Sequence, residues 1–189
     1  MVVKLPETTE KVVENLLRLA NTKIPEDIGW ALEAAAEWET NKTAYSQIGA
    51  ILDNIRKAEH LGKPMCQDTG IPIFYVRGKF DSSISKDIAQ AVENCTRNIP
   101  MRPNTVDPFT RKNNGNNLGD GMPCIHYIPT DDDFTEISVM LKGAGSENMT
   151  KLRMLNPADG MEGVKKFIID SVLDAGGRPC PPGIVGVGV

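Results

Sequence analysis

The sequence predicts an α+β fold: a helical N-terminal layer packed on a small mixed β-sheet with crossover helices. Apolar residues recur at helical spacing through the first third of the chain, short β-rich runs fill the middle, and two further helical patterns accompany those runs. With 189 residues, 40% of them hydrophobic and 24% charged, the chain is large and apolar enough to build its own core. It reads as a single domain over 1–189.

The elements follow in order. Thr8 to Asn21 places Val12, Val13, Leu16, Leu17 and Ala20 on one stripe. Pro25 opens a second helix with Ile28, Ala31, Leu32, Ala35 and Trp38 inward. A third runs from Thr43 to His60 on Ile48, Ile51, Leu52 and Ile55, and Leu61-Gly62 ends it. Ile71 to Val76 is a strand. Ser82 or Ser83 caps a helix reaching Arg97, whose face is Ile84, Ile88, Ala91 and Cys95. Asn98 to Asp120, rich in Pro, Asn and Gly, is a long loop of the kind that often carries function. Cys124 to Ile128 and Thr135 to Leu141 are strands joined by the acidic turn at Thr130 to Asp133. Pro157 to Asp174 is a helix with Met161, Val164, Phe167, Ile168 and Val172 inward, stopped by Gly176-Gly177. Ile184 to Val189 reads as a buried strand. An apolar strand at a chain end points to a longer chain truncated at its C-terminus.

Composition narrows the function. A net charge of −4 gives no general basic surface for nucleic acid, so an anionic substrate must be met by local positive groups. No apolar run approaches the ~18 residues that span a membrane. Met1 to Leu5 lead straight into Pro6 and Glu7 without the apolar region of a secretory leader, so a cytoplasmic location is expected. The four cysteines (Cys66, Cys95, Cys124, Cys180) form no CxxC pair, which argues against a zinc ribbon, and a cytosolic chain of this size needs no disulfides.

Three polar segments at element ends carry candidate chemistry. In Lys63-Pro-Met-Cys66-Gln67-Asp68-Thr69-Gly70 the cysteine lies on a loop, as a metal ligand, a nucleophile or a plain turn cysteine. In Lys142-Gly143-Ala144-Gly145-Ser146-Glu147-Asn148 two glycines let backbone approach a ligand and form an anion nest, or make an ordinary strand-to-helix turn. In Gly177-Arg178-Pro179-Cys180-Pro181-Pro182-Gly183 prolines stiffen the backbone around a thiol, to hold a ligand or to shape a connection. Arg102 and Arg111 in the long loop offer forks that match carboxylates, or are solvated surface charges. Cys95 reads as core, Cys124 as a packing residue, and His60 and His126 as structural; His126 falls on the face of Cys124.

Taken together, Cys66-Gln67-Asp68-Thr69-Gly70, Arg102-Pro103-Asn104 with Asp107-Pro108, Lys142-Gly-Ala-Gly-Ser-Glu-Asn148 and Pro179-Cys180-Pro181-Pro182 resemble the class I fumarase and tartrate dehydratase family, α-subunit, over nearly the whole chain. The resemblance implies a hydro-lyase acting on a C4 dicarboxylate with a 4Fe–4S cluster on three cysteines and an open fourth iron. It implies that Cys66 and Cys180 are cluster ligands and that Gln67 and Asp68 face the substrate, Asp68 in acid–base work. Arg102 would clamp a substrate carboxylate, and Gly143, Ala144 and Gly145 would line the pocket. The family more often has three glycines where this chain has Gly143-Ala144-Gly145. The third cluster cysteine is expected beyond residue 189, and a β-subunit as partner, in a homodimer of α or an αβ heterotetramer. The alternative is a non-catalytic metal- or anion-binding fragment that needs a partner subunit.

Overall fold

The computed structural model of the chain describes residues 8–79, 81–145, 147–181 and 183–189. The leader reading of Met1 to Leu5, and Ser146 and Pro182 of the predicted motifs, lie outside them. By its internal contacts the chain divides into two compact units, Met1–Lys142 and Gly143–Val189.

The first unit opens with three helices: α1 (Thr9–Thr22), α2 (Glu26–Trp38) and α3 (Lys42–Leu61). Thr8 caps α1 by accepting the Lys11 N–H, and Asn41 caps α3 by accepting those of Thr43 and Ala44. Gly62, at φ 61°, ends α3 in the left-handed conformation that glycine adopts most easily. Then come β1 (Ile71–Gly78), α4 (Ser83–Asn98), β2 (Cys124–Pro129) and β3 (Glu136–Lys142). The start of α4 is held by Asp81 rather than by a serine: its carboxylate accepts the Ser83 N–H at 2.8 Å, while Ser82 makes no side-chain cap.

The sheet has the order β2-β1-β3, with β1 parallel to β2 and antiparallel to β3. A parallel pair needs a crossover of a dozen or more residues, which α4 and the loop after it supply. The acidic turn joins β2 to β3, but the two are not neighbours because β1 lies between them. Strand alternation sends Phe74 and Val76 of β1, Ile125 and Tyr127 of β2, and Ile137, Val139 and Leu141 of β3 to one side. There they meet Val13 and Leu17 of α1 and Ile84, Ile88, Ala91, Val92 and Cys95 of α4. The predicted face of α4 is therefore its buried face.

The other two N-terminal helices bury little. α1 packs on α4 and β3, whereas α2 packs chiefly on α3. Of the residues predicted inward on α2, Leu32 is buried, but Ala31 is exposed and Trp38 is 83% exposed at the helix end. In the second unit a 3-10 turn (Pro157–Asp159) leads into α5 (Gly160–Ala175), and Gly176 stops it at φ 54°. So short a unit offers α5 little to pack on, and Met161 and Val172, predicted inward, are exposed. Ile184 to Val189 forms no strand and is exposed, a correction to the sequence reading: a strand needs a partner edge, and none of the described strands pairs with it. Among the described residues no helix is long and apolar enough to cross a membrane. All four cysteines are free thiols.

Burial pushes the Cys95 thiol from its ordinary 9.0 up to about 12, the Glu14 charge adding to the rise and Arg18 opposing it. The folded chain thus keeps a proton that the unfolded chain releases near pH 9. The stability this contributes is complete below pH 9 and is lost as pH rises through about 12; a gap of 12 − 9.0 = 3 units corresponds at its limit to roughly 4 kcal/mol. We expect the urea midpoint to fall between pH 8 and pH 10.5, and Cys95→Ala to flatten that fall. Equal slopes in the two proteins would contradict it.

Candidate active site

The loop between α3 and β1 carries Cys66, Gln67 and Asp68, and both helices hold it. The Met65 N–H donates to the Asn21 carbonyl at the end of α1 (3.0 Å), and the Asn54 side-chain amide of α3 donates to the Met65 carbonyl (2.6 Å). The residue before Cys66 is thus pinned on both backbone polar groups. The Cys66 thiol is exposed, and its sulfur accepts the Asp68 N–H at 3.4 Å. Gln67 is exposed. Asp68 Oδ1 accepts the Gly70 N–H at 3.2 Å, closing a tight turn. Gly70 has φ 75°, and a Cβ there would lie 3.0 Å from the Leu141 carbonyl carbon of β3. Conformation and space both demand glycine.

The long loop after α4 approaches this turn from the other side. Thr69 is buried, and its hydroxyl oxygen accepts the Arg102 N–H at 2.9 Å. Asn104 Nδ2 donates to Asp68 Oδ1 and to the Gly70 carbonyl, both at 3.1 Å. Behind them lies Asn117, 1% exposed and at φ 59°. Its Oδ1 accepts the N–H groups of Asn104 (2.7 Å) and Thr105 (3.3 Å), and its Nδ2 donates to the Arg102 carbonyl (3.1 Å) and Thr96 Oγ1 on α4 (3.0 Å). Backbone N–H groups only donate and carbonyls only accept, so these contacts fix which end of the amide is oxygen. The Arg102 backbone is therefore held at both N–H and carbonyl. Its guanidinium is exposed and makes no hydrogen bond or ion pair among the described residues.

Asp107, also in this loop, folds a separate turn. Its carboxylate accepts the N–H groups of Thr110 and Phe109 and the Thr110 hydroxyl, and the Thr110 N–H leads in holding its pKa below the usual range. Arg111 follows at φ 61°, exposed.

The other predicted residues belong to the second unit. The Gly143 N–H donates to Glu147 Oε1 at 2.8 Å, so the predicted anion nest already receives a carboxylate from its own chain. Ala144 and Gly145 are exposed. Cys180 is an exposed free thiol just beyond α5, whose C-terminal carbonyls at Ala175 and Asp174 accept from the Arg178 side chain.

The remaining cysteines are placed otherwise. Cys95 is core. Cys124 departs from the predicted packing role: it lies on the sheet face opposite the core, half-buried, with its sulfur 3.4 Å from His126 Nε2. Tyr75 stacks on the His126 ring, centroids 5.1 Å apart. Among the described residues no three His, Cys, Asp or Glu side chains cluster as a metal site. As donors, the exposed thiols of Cys66 and Cys180 fit thiolate ligation of an iron–sulfur group, and the buried Cys95 thiol does not. Asn104 and Asn117 were not singled out as site residues from sequence; the one available signal for Asn117 is an Asn-rich, Gly-containing run, where asparagine tolerates positive φ.

The family model for fumarate hydratase (Fumerase) matches residues 10–189. The "Putative L(+)-tartrate dehydratase subunit alpha" of Methanocaldococcus jannaschii is 41% identical over 186 residues, covering 94% of this chain and 65% of that one. The L(+)-tartrate dehydratase subunit alpha of Escherichia coli K12 is 34% identical, covering 95% of this chain and 61% of its own length. The "Putative fumarate hydratase class I" of Geobacillus stearothermophilus is 33% identical, with 38% of its length covered. The chain belongs to the fumarate hydratase (Fumerase) family. It spans less than two thirds of the length of these relatives.

Gly70→Ala should destabilise the protein by about 1–3 kcal/mol, through a strained φ and a methyl pressed on β3. A urea titration checks this; a loss below about 0.5 kcal/mol would show that β3 yields at no cost.

Proposed function

We propose that this chain is the α-part of an iron–sulfur hydro-lyase that reversibly adds water to, or removes it from, a C4 dicarboxylate: fumarate/malate or tartrate/oxaloacetate. The observation that carries the reading is Arg102. Its backbone is clamped at both ends, its guanidinium has no partner among the described residues, and its loop is bonded directly to the Cys66–Gly70 turn. A planar fork held in this way suits a carboxylate.

Cys66 and Cys180 would hold a 4Fe–4S cluster, which when bound supplies a Lewis-acidic iron for the substrate hydroxyl. The third thiolate comes from outside these 189 residues. In support, Cys95 is buried as a neutral thiol, and Cys124 is engaged with His126. Asp68 moves the proton at the departing or arriving hydroxyl oxygen, a base takes or returns the proton on the adjacent carbon, and Gln67 lines the same turn. Arg102 fixes one substrate carboxylate. The Gly143–Gly145 backbone receives the other, and a carboxylate reaching the Gly143 N–H would displace Glu147. A β-subunit completes the site; the α-subunit names of two relatives support this.

In the complete enzyme, Arg102→Lys keeps the charge and loses the fork. A charge-assisted hydrogen bond of roughly 1.5–3 kcal/mol is at stake, so kcat/KM should fall about ten- to hundred-fold, with KM raised strongly and kcat lowered. Arg111→Lys should change it less than about threefold. Iron and acid-labile sulfide are measured alongside. Full cluster content with unchanged kinetics on malate and on tartrate would remove Arg102 from the site. Cys66→Ser and Cys180→Ser should each lose iron, which Cys95→Ala should retain.

A further inference from the structure

We propose that Asn104 is a positioning residue for Asp68, and that Asn117 in turn sets Asn104 and Arg102, so that the acid–base group and the carboxylate clamp are aligned by one buried amide. The inference rests on the roles proposed above for Asp68 and Arg102.

A carboxylate on a loop turns freely about its last bond unless something holds an oxygen. Here the Gly70 N–H at 3.2 Å and Asn104 Nδ2 at 3.1 Å both donate to Asp68 Oδ1. The first is local to the turn. The second comes from the other loop, and the same Nδ2 also donates to the Gly70 carbonyl. One amide group therefore fixes both the carboxylate and the backbone that closes its turn. Asn104 is itself fixed by its N–H on Asn117 Oδ1 at 2.7 Å. Asn117 is anchored to Thr96 of α4, in the core layer, and takes the Arg102 carbonyl with the same Nδ2. A chain of direct hydrogen bonds thus runs from a core helix to the Asp68 carboxylate and to the backbone that carries the Arg102 side chain. Supporting groups of this kind hold reacting groups to the fraction of an ångström that catalysis needs.

Each link has a separable effect. Asn104 meets Asp68, whose work is done in the transition state, so its loss lowers kcat. Asn117 meets the Arg102 backbone, so its loss also raises KM. Asn117→Gly is the suitable variant, because glycine keeps the positive φ while deleting the amide.

The test is a double-mutant cycle in the complete, cluster-loaded enzyme: Asn104→Ala, Asp68→Asn and the two combined, with iron content and thermal midpoint measured for each. We expect Asn104→Ala to keep its iron and to lower kcat about ten- to hundred-fold with little change in KM, the double variant to be no slower than Asp68→Asn alone, and Asn117→Gly to raise KM. If Asn104→Ala does not fold, Asn104→Ser is read in the same cycle; its hydroxyl is too short to reach both Asp68 and Gly70. A folded, iron-replete Asn104 variant with unchanged kcat beside an inactive Asp68→Asn overturns this inference and leaves the proposed function standing. Multiplicative losses in the double variant overturn it too, since they would show that Asn104 does not act through Asp68. Full activity of Asp68→Asn would overturn the role of Asp68 itself, and this inference with it.

Discussion

The side-chain amide of Asn117 is the contact on which the described half of the site depends. A buried amide must satisfy its oxygen and its two N–H groups, or leave groups unpaired at a cost of about 1–3 kcal/mol each. Asn117 does so with backbone groups of Arg102, Asn104 and Thr105 and with the Thr96 hydroxyl. A loop of this length, with no helix or strand of its own, would otherwise have many conformations. Here its middle is tied to α4, and through Thr69 and Asn104 to the turn after α3.

The rest of the unit brings those two loops together. The β1–α4–β2 crossover returns the chain beside β1, so the loop that follows α4 must pass the start of that strand. β3 then runs antiparallel, and its last residue, Lys142, pairs with Ile71, the first of β1. Gly70 is squeezed against that end of β3, and only its lack of a side chain lets the Cys66–Asp68 turn sit so close to the sheet. α1 and α3 grip Met65 from behind. The sheet and helices act as a frame, and the candidate site residues of this unit sit on loops that the frame holds.

Much of this frame was legible in the sequence because its signals are periodic. Apolar spacing located α1, α3, α4 and α5 to within a residue or three, and β-rich runs located all three strands. The misses share a cause. Trp38, Met161 and Val172 sit on apolar stripes that their units cover only in part, and periodicity marks a stripe without saying how much of it a neighbour reaches. The run Ile184 to Val189 has strand composition but no described edge to pair with, and pairing is a non-local property. In the candidate site, residue type singles out Cys66 and Arg102 as candidates, and the family resemblance adds Asp68. Asn104 and Asn117 are ordinary loop residues by type, and their importance lies in contacts that span 12 to 36 positions of the chain.

The central claim is that the Cys66 turn and the Arg102 loop form one face where an iron–sulfur group and a dicarboxylate meet. The most direct measurement is iron-edge anomalous scattering from anaerobically grown crystals of the complete protein soaked with malate or tartrate. The account predicts an iron peak within bonding distance of Cys66 Sγ, with a substrate carboxylate on the Arg102 guanidinium and Asp68 Oδ1 still held by Asn104. Iron bound away from Cys66, or substrate bound with Arg102 turned to solvent, would contradict it.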